Sequence, residues 1–446
     1  GSQCAAPLPA PMTRFPTFLR ARQRWDQPRI ADLGAAVTAS LEAGGLGRRL
    51  EPGMAVAITA GSRGIANLPE ILRAAVLFCR SAECKPFLFP AMGSHGGATA
   101  EGQRALLADL GVTEGSVGAE IRATMEVVRV AETPEGLPVY LDRHAAAADG
   151  ILVINRVKAH TDFEGRFESG LAKMMTIGMG KRAQALVVHQ HGAGGLREQI
   201  PKIAGAMLAT GRILGALAIV ENAEEAPALL EALPPDRILE REPALLNQAK
   251  AWAARLPVDA LDVLLVEELG KEISGTGMDT NVIGRRGIPG EPDPPRPRIA
   301  TVVVLDVTPA SHGNAIGLGL GDITTDRLVR RMDRASTYAN VLTSGFLDRG
   351  KVPLHFPTDR EAIAAALDQH RRKPLEERRV AWIKNTLHLG DLLLSEALAA
   401  ELRGHGNVTL DRQPVPMTFT PEGTLESPLR AAPVRPAPAS AWQDVG

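Results

Sequence analysis

Short apolar runs alternate with amphipathic stretches along most of the chain. The runs are short enough to be buried strands, and the stretches between them have the spacing of helices. Strands that alternate with helices predict crossover connections and mostly parallel sheets flanked by helices, so the predicted fold class is α/β. The predicted strands lie at 54–60, 84–91, 150–155, 216–221, 262–267 and 300–306, and the first predicted helices lie near 68–79 and at 100–110.

Two stretches have the character of connections rather than of a core. Residues 224–256 are charged and have a helical pattern typical of a linker, and residues 287–298 hold five prolines and predict an extended surface loop. We therefore predict an N-terminal α/β domain over 1–255 and a C-terminal α/β domain over 256–446. The second domain would close a cleft that holds the active site, and its Pro/Ala-rich tail would be mobile from about residue 427.

Composition excludes several classes of protein. A formal net charge of -1 provides no electrostatic footprint for nucleic acid or for a lipid surface, so neither is expected as a partner. The apolar runs are too short for a membrane span, and the three cysteines contain no CxxC pair and give no disulfide framework. A cytoplasmic location is expected. Gly1 and Ser2 are typical of a cleaved tag, Met12 is a plausible start, and the residues before it are expected to be unstructured.

Candidate chemistry is concentrated in glycine-rich loops that follow predicted strands, where ligands of parallel sheets usually bind. Arg63 lies in the first loop, GSRG, and has a planar group suited to a carboxylate or a phosphate. His95 lies in the second loop, GSHGG, which runs into a helix whose amino end favours an anion. Ser94 or Thr99 can cap that helix. Each of these residues could also be an ordinary part of a solvated loop.

The third loop, after the strand at 150–155, is the richest in cations and imidazoles. It contains His160 and Lys173, and the sequence becomes apolar again at Lys173, so its amine is expected to be desolvated and reactive. Sixteen residues beyond Lys173 lies His189, in the motif HQH. Imidazole is a common ligand of nickel, zinc and copper, although this motif alone is a weak metal signal.

A fourth loop opens the second predicted domain with Glu268 and Lys271, in EELGKEISGTGMD. Lys271 is expected to reach the cleft from the side opposite Arg63, although the SGTG run is also compatible with a plain turn. Neither a GxSxG elbow, a phosphate-binding Walker loop nor an HExxH motif occurs, and no GxGxxG motif opens a helix. Serine hydrolases, nucleotide triphosphatases, zinc proteases and dinucleotide-dependent dehydrogenases are therefore disfavoured.

Three segments together resemble the superfamily of nickel-pincer lactate racemases, which are racemases and epimerases of 2-hydroxy acids. They read AMGSHGGATAEGQRALL, KAHTDFEGRFESGLAKMMTIGMGK and EELGKEISGTGMD, and the resemblance spans roughly residues 50–285 in the family's order. It implies two α/β lobes around a cleft and a nickel pincer nucleotide, pyridinium-3,5-bisthiocarboxylic acid mononucleotide nickel. It also implies two kinds of partner, namely a small 2-hydroxy acid substrate and the proteins that make the cofactor.

The resemblance assigns a role to each matching residue. Lys173 would be the lysine that bears the cofactor covalently, and His189 would be the nickel ligand. His95 and His160 would be the paired acid/base residues, one for each enantiomer, because the planar keto acid left after hydride removal can take the hydride back on either face. Ser94, beside His95, is assigned to cofactor binding.

The remaining assignments concern anions. Gly96 would contact the cofactor together with Ser94. Arg63, Lys271 and Glu268 would hold the substrate, so that its α-hydrogen is oriented for transfer.

The chain also departs from the family pattern. Ala60 replaces an aspartate that is usual before the arginine loop, and Glu268 replaces a glutamine. The segment between the loop histidine and the cofactor lysine is longer than in lactate racemase and adds Glu164, Arg166 and Glu168, which could reshape the pocket. These departures indicate a divergent member with a substrate other than lactate. Two alternatives stay open: a pincer-independent dehydratase or isomerase of a sugar-acid-like substrate, and a non-catalytic nucleotide- or anion-binding protein.

Overall fold

The computed structural model describes residues 14–62, 64–190 and 192–429. Its strands are β1 (Thr17–Gln23), β2 (Ala55–Ala60), β3 (Lys85–Pro90), β4 (Val127–Glu132), β5 (Pro138–Asp142), β6 (Gly150–Arg156), β7 (Ile213–Glu221), β8 (Pro227–Leu233), β9 (Ala260–Leu269), β10 (Arg298–Val307), β11 (Ile323–Thr325), β12 (Leu354–Phe356), β13 (Val380–Ile383), β14 (Asp391–Ser395) and β15 (Val408–Pro416). Its α-helices are α1 (Leu33–Ala43), α2 (Leu68–Ser81), α3 (Ala100–Asp109), α4 (Glu114–Val117), α5 (Arg143–Ala146), α6 (Leu171–Lys173), α7 (Met179–His189), α8 (Gly192–Ala209), α9 (Ile238–Trp252), α10 (Thr280–Ile283), α11 (Asp326–Arg331), α12 (Arg334–Ser344), α13 (Asp359–Asp368) and α14 (Glu396–Glu401).

These elements form two compact units. One is Trp25–Ala254, and the other combines the described residues 14–24 with 255–429. The predicted start at Met12, the residues before it and most of the predicted tail lie outside the described residues. Within the described part of the chain, none of the helices is both long enough and apolar enough to cross a membrane.

The unit Trp25–Ala254 is built on a five-stranded sheet in the order β3-β2-β6-β7-β8. The first four strands are parallel, and β8 pairs antiparallel with β7. Successive side chains of the parallel strands enter two different cores, as the two-residue period of a strand requires. In β6, Ile151 and Val153 pack with α6–α9, whereas Leu152 and Ile154 pack with α1 and α2. Because both faces are covered, these strands are apolar throughout, and this made them predictable.

The second unit is built on an eight-stranded sheet in the order β12-β11-β10-β9-β13-β14-β1-β15. Strands β9 to β13 are parallel to one another, and β14, β1 and β15 continue the sheet from β13 in antiparallel pairs. One core packs Trp382 of β13 and Phe18 of β1 against α13. Sequence analysis groups β1 with residues 1–255, but in the structure this strand belongs to the sheet of the second unit.

The predicted fold class is confirmed: both large sheets are mostly parallel or mixed and are flanked by helices. Two local predictions are wrong. Residues 227–233, expected to be part of a helical linker, form the edge strand β8. Ser427 and Leu429, expected to be in the mobile tail, are packed: Leu429 is buried, and the Ser427 hydroxyl donates to the Glu267 carboxylate.

Candidate functional site

The loops that follow β2, β3 and β6 lie at one edge of the five-stranded sheet, because neighbouring parallel strands end at the same edge. The second of these loops packs closely on the segment that carries Lys173. A Cβ atom on Gly93 would lie only 3.0 Å from the Ile177 side chain, so glycine permits this approach. The same edge therefore brings the His95 loop against the turn that follows Lys173.

Lys173 and His189 belong to one irregular helical segment, which is named here the lysine segment (residues 171–189). It comprises α6, a π-helical turn at Met174–Gly178 and α7. Lys173 is the last residue of α6, and His189 is the last residue of α7. A π-helical turn inside a helix commonly marks a functional site. The sequence predicted both residues but not the segment that joins them.

The buried carboxyl group of Glu242 caps the start of the lysine segment. Its Oε2 accepts from the Ala172 backbone N–H at 2.8 Å, while its Oε1 has no hydrogen-bond partner among the described residues. Burial raises the pKa of Glu242 to about 7, although the amides of Ala172 and Leu171 partly oppose this shift. A carboxyl group whose pKa is near neutral pH is thus hydrogen-bonded to the residue that precedes Lys173.

The Lys173 amine faces the imidazole of His160. Lys173 Nζ lies 2.7 Å from His160 Nε2, and the Asp162 backbone N–H donates to His160 Nδ1 at 3.0 Å. Because Nδ1 accepts a hydrogen bond, the ring is neutral and carries its proton on Nε2. That proton can be donated to the amine only if Lys173 is in its neutral form. The geometry therefore indicates a nucleophilic amine beside a neutral imidazole.

Two neighbours hold His160 in place, and a third residue supports one of them. Its ring packs on Phe163, with the ring centroids 4.6 Å apart. Its backbone N–H donates to Glu168 Oε2 at 2.7 Å. Glu168 is buried and forms an ion pair with Lys250 at 2.6 Å. Glu168, which lies between His160 and Lys173 in the sequence, thus holds the His160 backbone in place.

His189 lies close enough to Lys173 and Asp162 to interact with both electrostatically. Desolvation by the surrounding protein lowers the pKa of His189, a charge on Lys173 would lower it further, and Asp162 opposes both effects. The ring is nevertheless exposed, so water screens part of these interactions. A neutral, accessible imidazole is the form that binds a transition metal.

The other residues predicted for this edge lie on the loop after β3. Ser94 and His95 are exposed there, and Gly96 adopts a left-handed conformation with φ of 63°. Thr99, rather than Ser94, caps α3, because its hydroxyl accepts from the Gly102 backbone N–H at 3.0 Å. The structure therefore assembles His160, Lys173 and His189 and places the His95 loop against their segment.

The predicted substrate-binding residues are located differently. Position 63 lies outside the described residues. Lys271 and Glu268 belong to the other unit, at and just beyond the end of β9. The Lys271 amine donates to the Gly275 carbonyl and to Asn340 Oδ1, and Glu268 Oε1 accepts from Asn385 at 3.0 Å.

Sequence reasoning missed two buried residues, Glu242 and Lys181, of which the second lies in the lysine segment itself. Lys181 ends the motif KAHTDFEGRFESGLAKMMTIGMGK, but the motif does not show its burial, because burial of a charged residue depends on partners far along the chain. In the described ranges, no three histidine, cysteine, aspartate or glutamate side chains form a group that could hold a metal ion. A metal held by an organic chelate needs fewer protein ligands, so this finding does not conflict with the predicted role of His189.

No model of a protein family matches this chain, and neither does any curated protein. Two solved structures are similar to it at low identity. A protein from Thermotoga maritima is 13% identical, with a TM-score of 0.47 over 63% of this chain and 72% of that chain. The lactate racemase apoprotein from Thermoanaerobacterium thermosaccharolyticum is 14% identical, with a TM-score of 0.40 over 65% of this chain and 74% of that chain. Neither likeness bears on the role of any residue.

Proposed function

We propose that this chain is a racemase or epimerase of 2-hydroxy acids that bears a nickel pincer nucleotide on Lys173. The observation that carries the proposal is the 2.7 Å contact between Lys173 Nζ and His160 Nε2, together with the backbone hydrogen bond to His160 Nδ1. A neutral amine beside a neutral imidazole supports covalent attachment at Lys173. It also supports proton exchange between His160 and a substrate bound near that point.

The donor set fits the cofactor. His189 would hold the nickel, since a metal bound in an organic chelate would need few protein ligands and His189 is an exposed imidazole at the end of the lysine segment. We assign Ser94 and Gly96 to cofactor binding, since the amino end of α3 beside them favours anionic groups such as a phosphate. When bound, the cofactor would supply a hydride acceptor for the α-carbon of the substrate.

The chain's own residues would move the proton. A lysine nitrogen in an amide-like linkage is not basic, so His160 Nε2 would no longer share its proton with Lys173. His160 would then exchange a proton with the hydroxyl group of one enantiomer, and His95 would do so for the other. Arg63, Lys271 and Glu268 remain the proposed substrate-binding residues, because guanidinium and ammonium groups bind a carboxylate.

The test uses 2-hydroxy acids that carry deuterium at C2, offered as single enantiomers in ordinary water to the chain co-expressed with a cofactor biosynthesis system. Chiral chromatography with mass detection then follows both enantiomers. We expect the opposite enantiomer to appear with its deuterium retained, because hydride that leaves and returns does not exchange with water. The Lys173→Ala variant, produced in the same way, is the control and should be inactive.

The same assay separates the alternatives. An acid/base isomerase that removes the C2 proton would lose the deuterium to water, and a dehydratase would produce an acid lighter by one water. A non-catalytic binding protein would leave every substrate unchanged. Any of these three results would contradict the proposed reaction.

A further inference from the structure

A second lysine, Lys181, lies in the middle of the lysine segment and is fully buried. Its amine donates to the Pro90 carbonyl at 2.6 Å and to Gln103 Oε1 at 2.9 Å. It also forms an ion pair with Asp142 at 3.4 Å. Two of these three oxygen neighbours accept hydrogen bonds and the third supplies a negative charge, and they come from β3, α3 and the end of β5.

Gln103 extends this network to the His95 loop. Its amide nitrogen lies within hydrogen-bond distance of three loop carbonyls, those of Met92 at 3.1 Å, Gly93 at 3.0 Å and His95 at 3.3 Å. Gln103 is fully buried, so these are the bonds that satisfy its amide. Since Lys181 holds the amide oxygen, it also fixes which way the nitrogen faces.

The network is expensive to build. The Lys181 backbone has φ of 53° and ψ of -152°, a conformation that L-residues rarely adopt and that tertiary structure must stabilise. Burial lowers the pKa of Lys181 and raises the pKa of Asp142, so desolvation opposes both charges. An apolar residue at position 181 would avoid the desolvation cost but not the backbone strain. It would also lack the directional hydrogen bonds that the Lys181 amine makes to Pro90 and Gln103.

We propose that Lys181 and Gln103 are a positioning pair that fixes the His95 loop relative to Lys173 and His189. Lys181 is eight residues from each of the two, on the same segment, so a bond from its amine to the loop sets the distance between the two halves of the site. The effect of this positioning on catalysis rests on the proposed function, whereas the hydrogen bonds that tie the pair to the loop do not.

Two variants remove the tie without leaving a lone buried charge. Gln103→Leu removes the amide, and the double variant Lys181→Met with Asp142→Asn removes both charges of the ion pair. Hydrogen exchange measured by mass spectrometry on the full chain without cofactor should show amides of residues 92–97 exchanging at least about tenfold faster in both variants. Exchange in α13, which belongs to the other unit, should be unchanged.

Gln184→Leu is the matched control. Gln184, in α7, is also a buried glutamine with a hydrogen-bonded amide. Its partners lie in β5, where it accepts from the Tyr140 N–H and donates to the Pro138 carbonyl. Its loss should leave exchange at 92–97 within about twofold of the parent chain. Equal exchange in the parent and in Gln103→Leu, or equal acceleration in both glutamine variants, would overturn the inference.

The cofactor-loaded enzyme provides the catalytic readout. Gln103→Leu should lower kcat by at least about tenfold while KM changes less than about twofold, because substrate binding does not depend on His95 alignment. A loosened loop with an unchanged kcat would overturn the positioning role. If the parent itself shows no turnover but its loop is loosened in Gln103→Leu, the proposed function fails and the structural tie stands.

Discussion

Two lysines of one helical segment have opposite surroundings. Lys173 is partly exposed, and its amine faces a ring nitrogen that carries a proton. Lys181 is fully buried, and its amine contacts oxygen atoms of Pro90, Gln103 and Asp142. The first environment requires a neutral amine, whereas in the second Asp142 partly offsets the desolvation that lowers the pKa of Lys181.

The difference shows how one residue type acquires two functions. Two oxygen acceptors and the nearby Asp142 carboxylate surround the Lys181 amine and give this residue a structural role inside the protein. A proton donor at Lys173 leaves a neutral nucleophile that is accessible to a ligand. The partner atom, rather than burial alone, thus separates the reactive lysine from the structural one.

The largest expected effect follows from the removal of the imidazoles. His160→Ala and His95→Ala should each lower turnover per bound nickel by about 10²–10⁴-fold, because each removes an acid/base group for one enantiomer. Nickel per chain measures cofactor loading, and chiral chromatography measures turnover. Retained turnover in either variant would remove that histidine from the mechanism.

Loss of Lys181 should destabilise the protein far more than loss of Lys173. Lys181→Met should cost about 3–5 kcal/mol because it leaves the Asp142 carboxylate buried and unpaired, whereas Lys173→Met should cost under about 1 kcal/mol. Urea denaturation of the full chain, monitored by hydrogen exchange in residues 25–254, measures the free energy of unfolding of both variants. Similar costs for the two variants would remove the distinction between a structural and a reactive lysine.

The cap at the start of the lysine segment predicts a pH effect. The pKa of Glu242 is raised to about 7 in the folded chain from 4.5, so its contribution to stability is fully present below pH 4.5 and is lost as the pH rises through 7. Glu242→Gln cannot ionise at this position. Its free energy of unfolding, relative to that of the parent, should therefore rise by up to about 3 kcal/mol from pH 5 to pH 8. Denaturation at both pH values measures the gain.

Glu240→Gln, an exposed change on the same helix, is the control for this experiment. Its stability difference from the parent should not change between pH 5 and pH 8 by more than about 0.5 kcal/mol. A gain for Glu242→Gln that is the same at both pH values would show that the carboxyl group does not titrate in this range.

The smallest effect concerns reactivity in the absence of cofactor. At neutral pH, an amine-acylating reagent should modify Lys173 about tenfold faster than an exposed lysine such as Lys351, and should leave Lys181 unmodified. Peptide mass spectrometry measures the rates. His160→Asn should reduce the Lys173 rate to that of Lys351, and an unchanged rate in this variant would contradict the role of His160.

The parts of the fold with a local cause could be predicted from the sequence. Strands such as β6 are buried on both faces and therefore form continuous apolar runs, and glycine-rich loops mark where they end. The strand β8 was missed because PALLEAL has the composition of a helix, and its pairing with β7 overrides that preference. The place of β1 depends on β14 and β15, which lie at the opposite end of the chain.

The candidate site divides in the same way. Lys173, His160 and His189 could be predicted because their residue types and spacing are unusual in a loop after a strand. Glu242 and Lys181 could not, because their burial depends on contacts 70 and 78 residues distant in sequence. The neutral state of Lys173 also depends on which His160 nitrogen accepts the Asp162 amide, a detail that only coordinates provide.

The decisive measurement is the intact mass of the chain after co-expression with a cofactor biosynthesis system. Peptide mapping then shows whether Lys173 bears the cofactor. We predict one adduct of the mass of the pincer nucleotide on Lys173, accompanied by nickel, absent in Lys173→Arg and retained in the exposed control Lys351→Arg. No adduct and no nickel on the parent chain, or an adduct that persists in Lys173→Arg, would contradict the account.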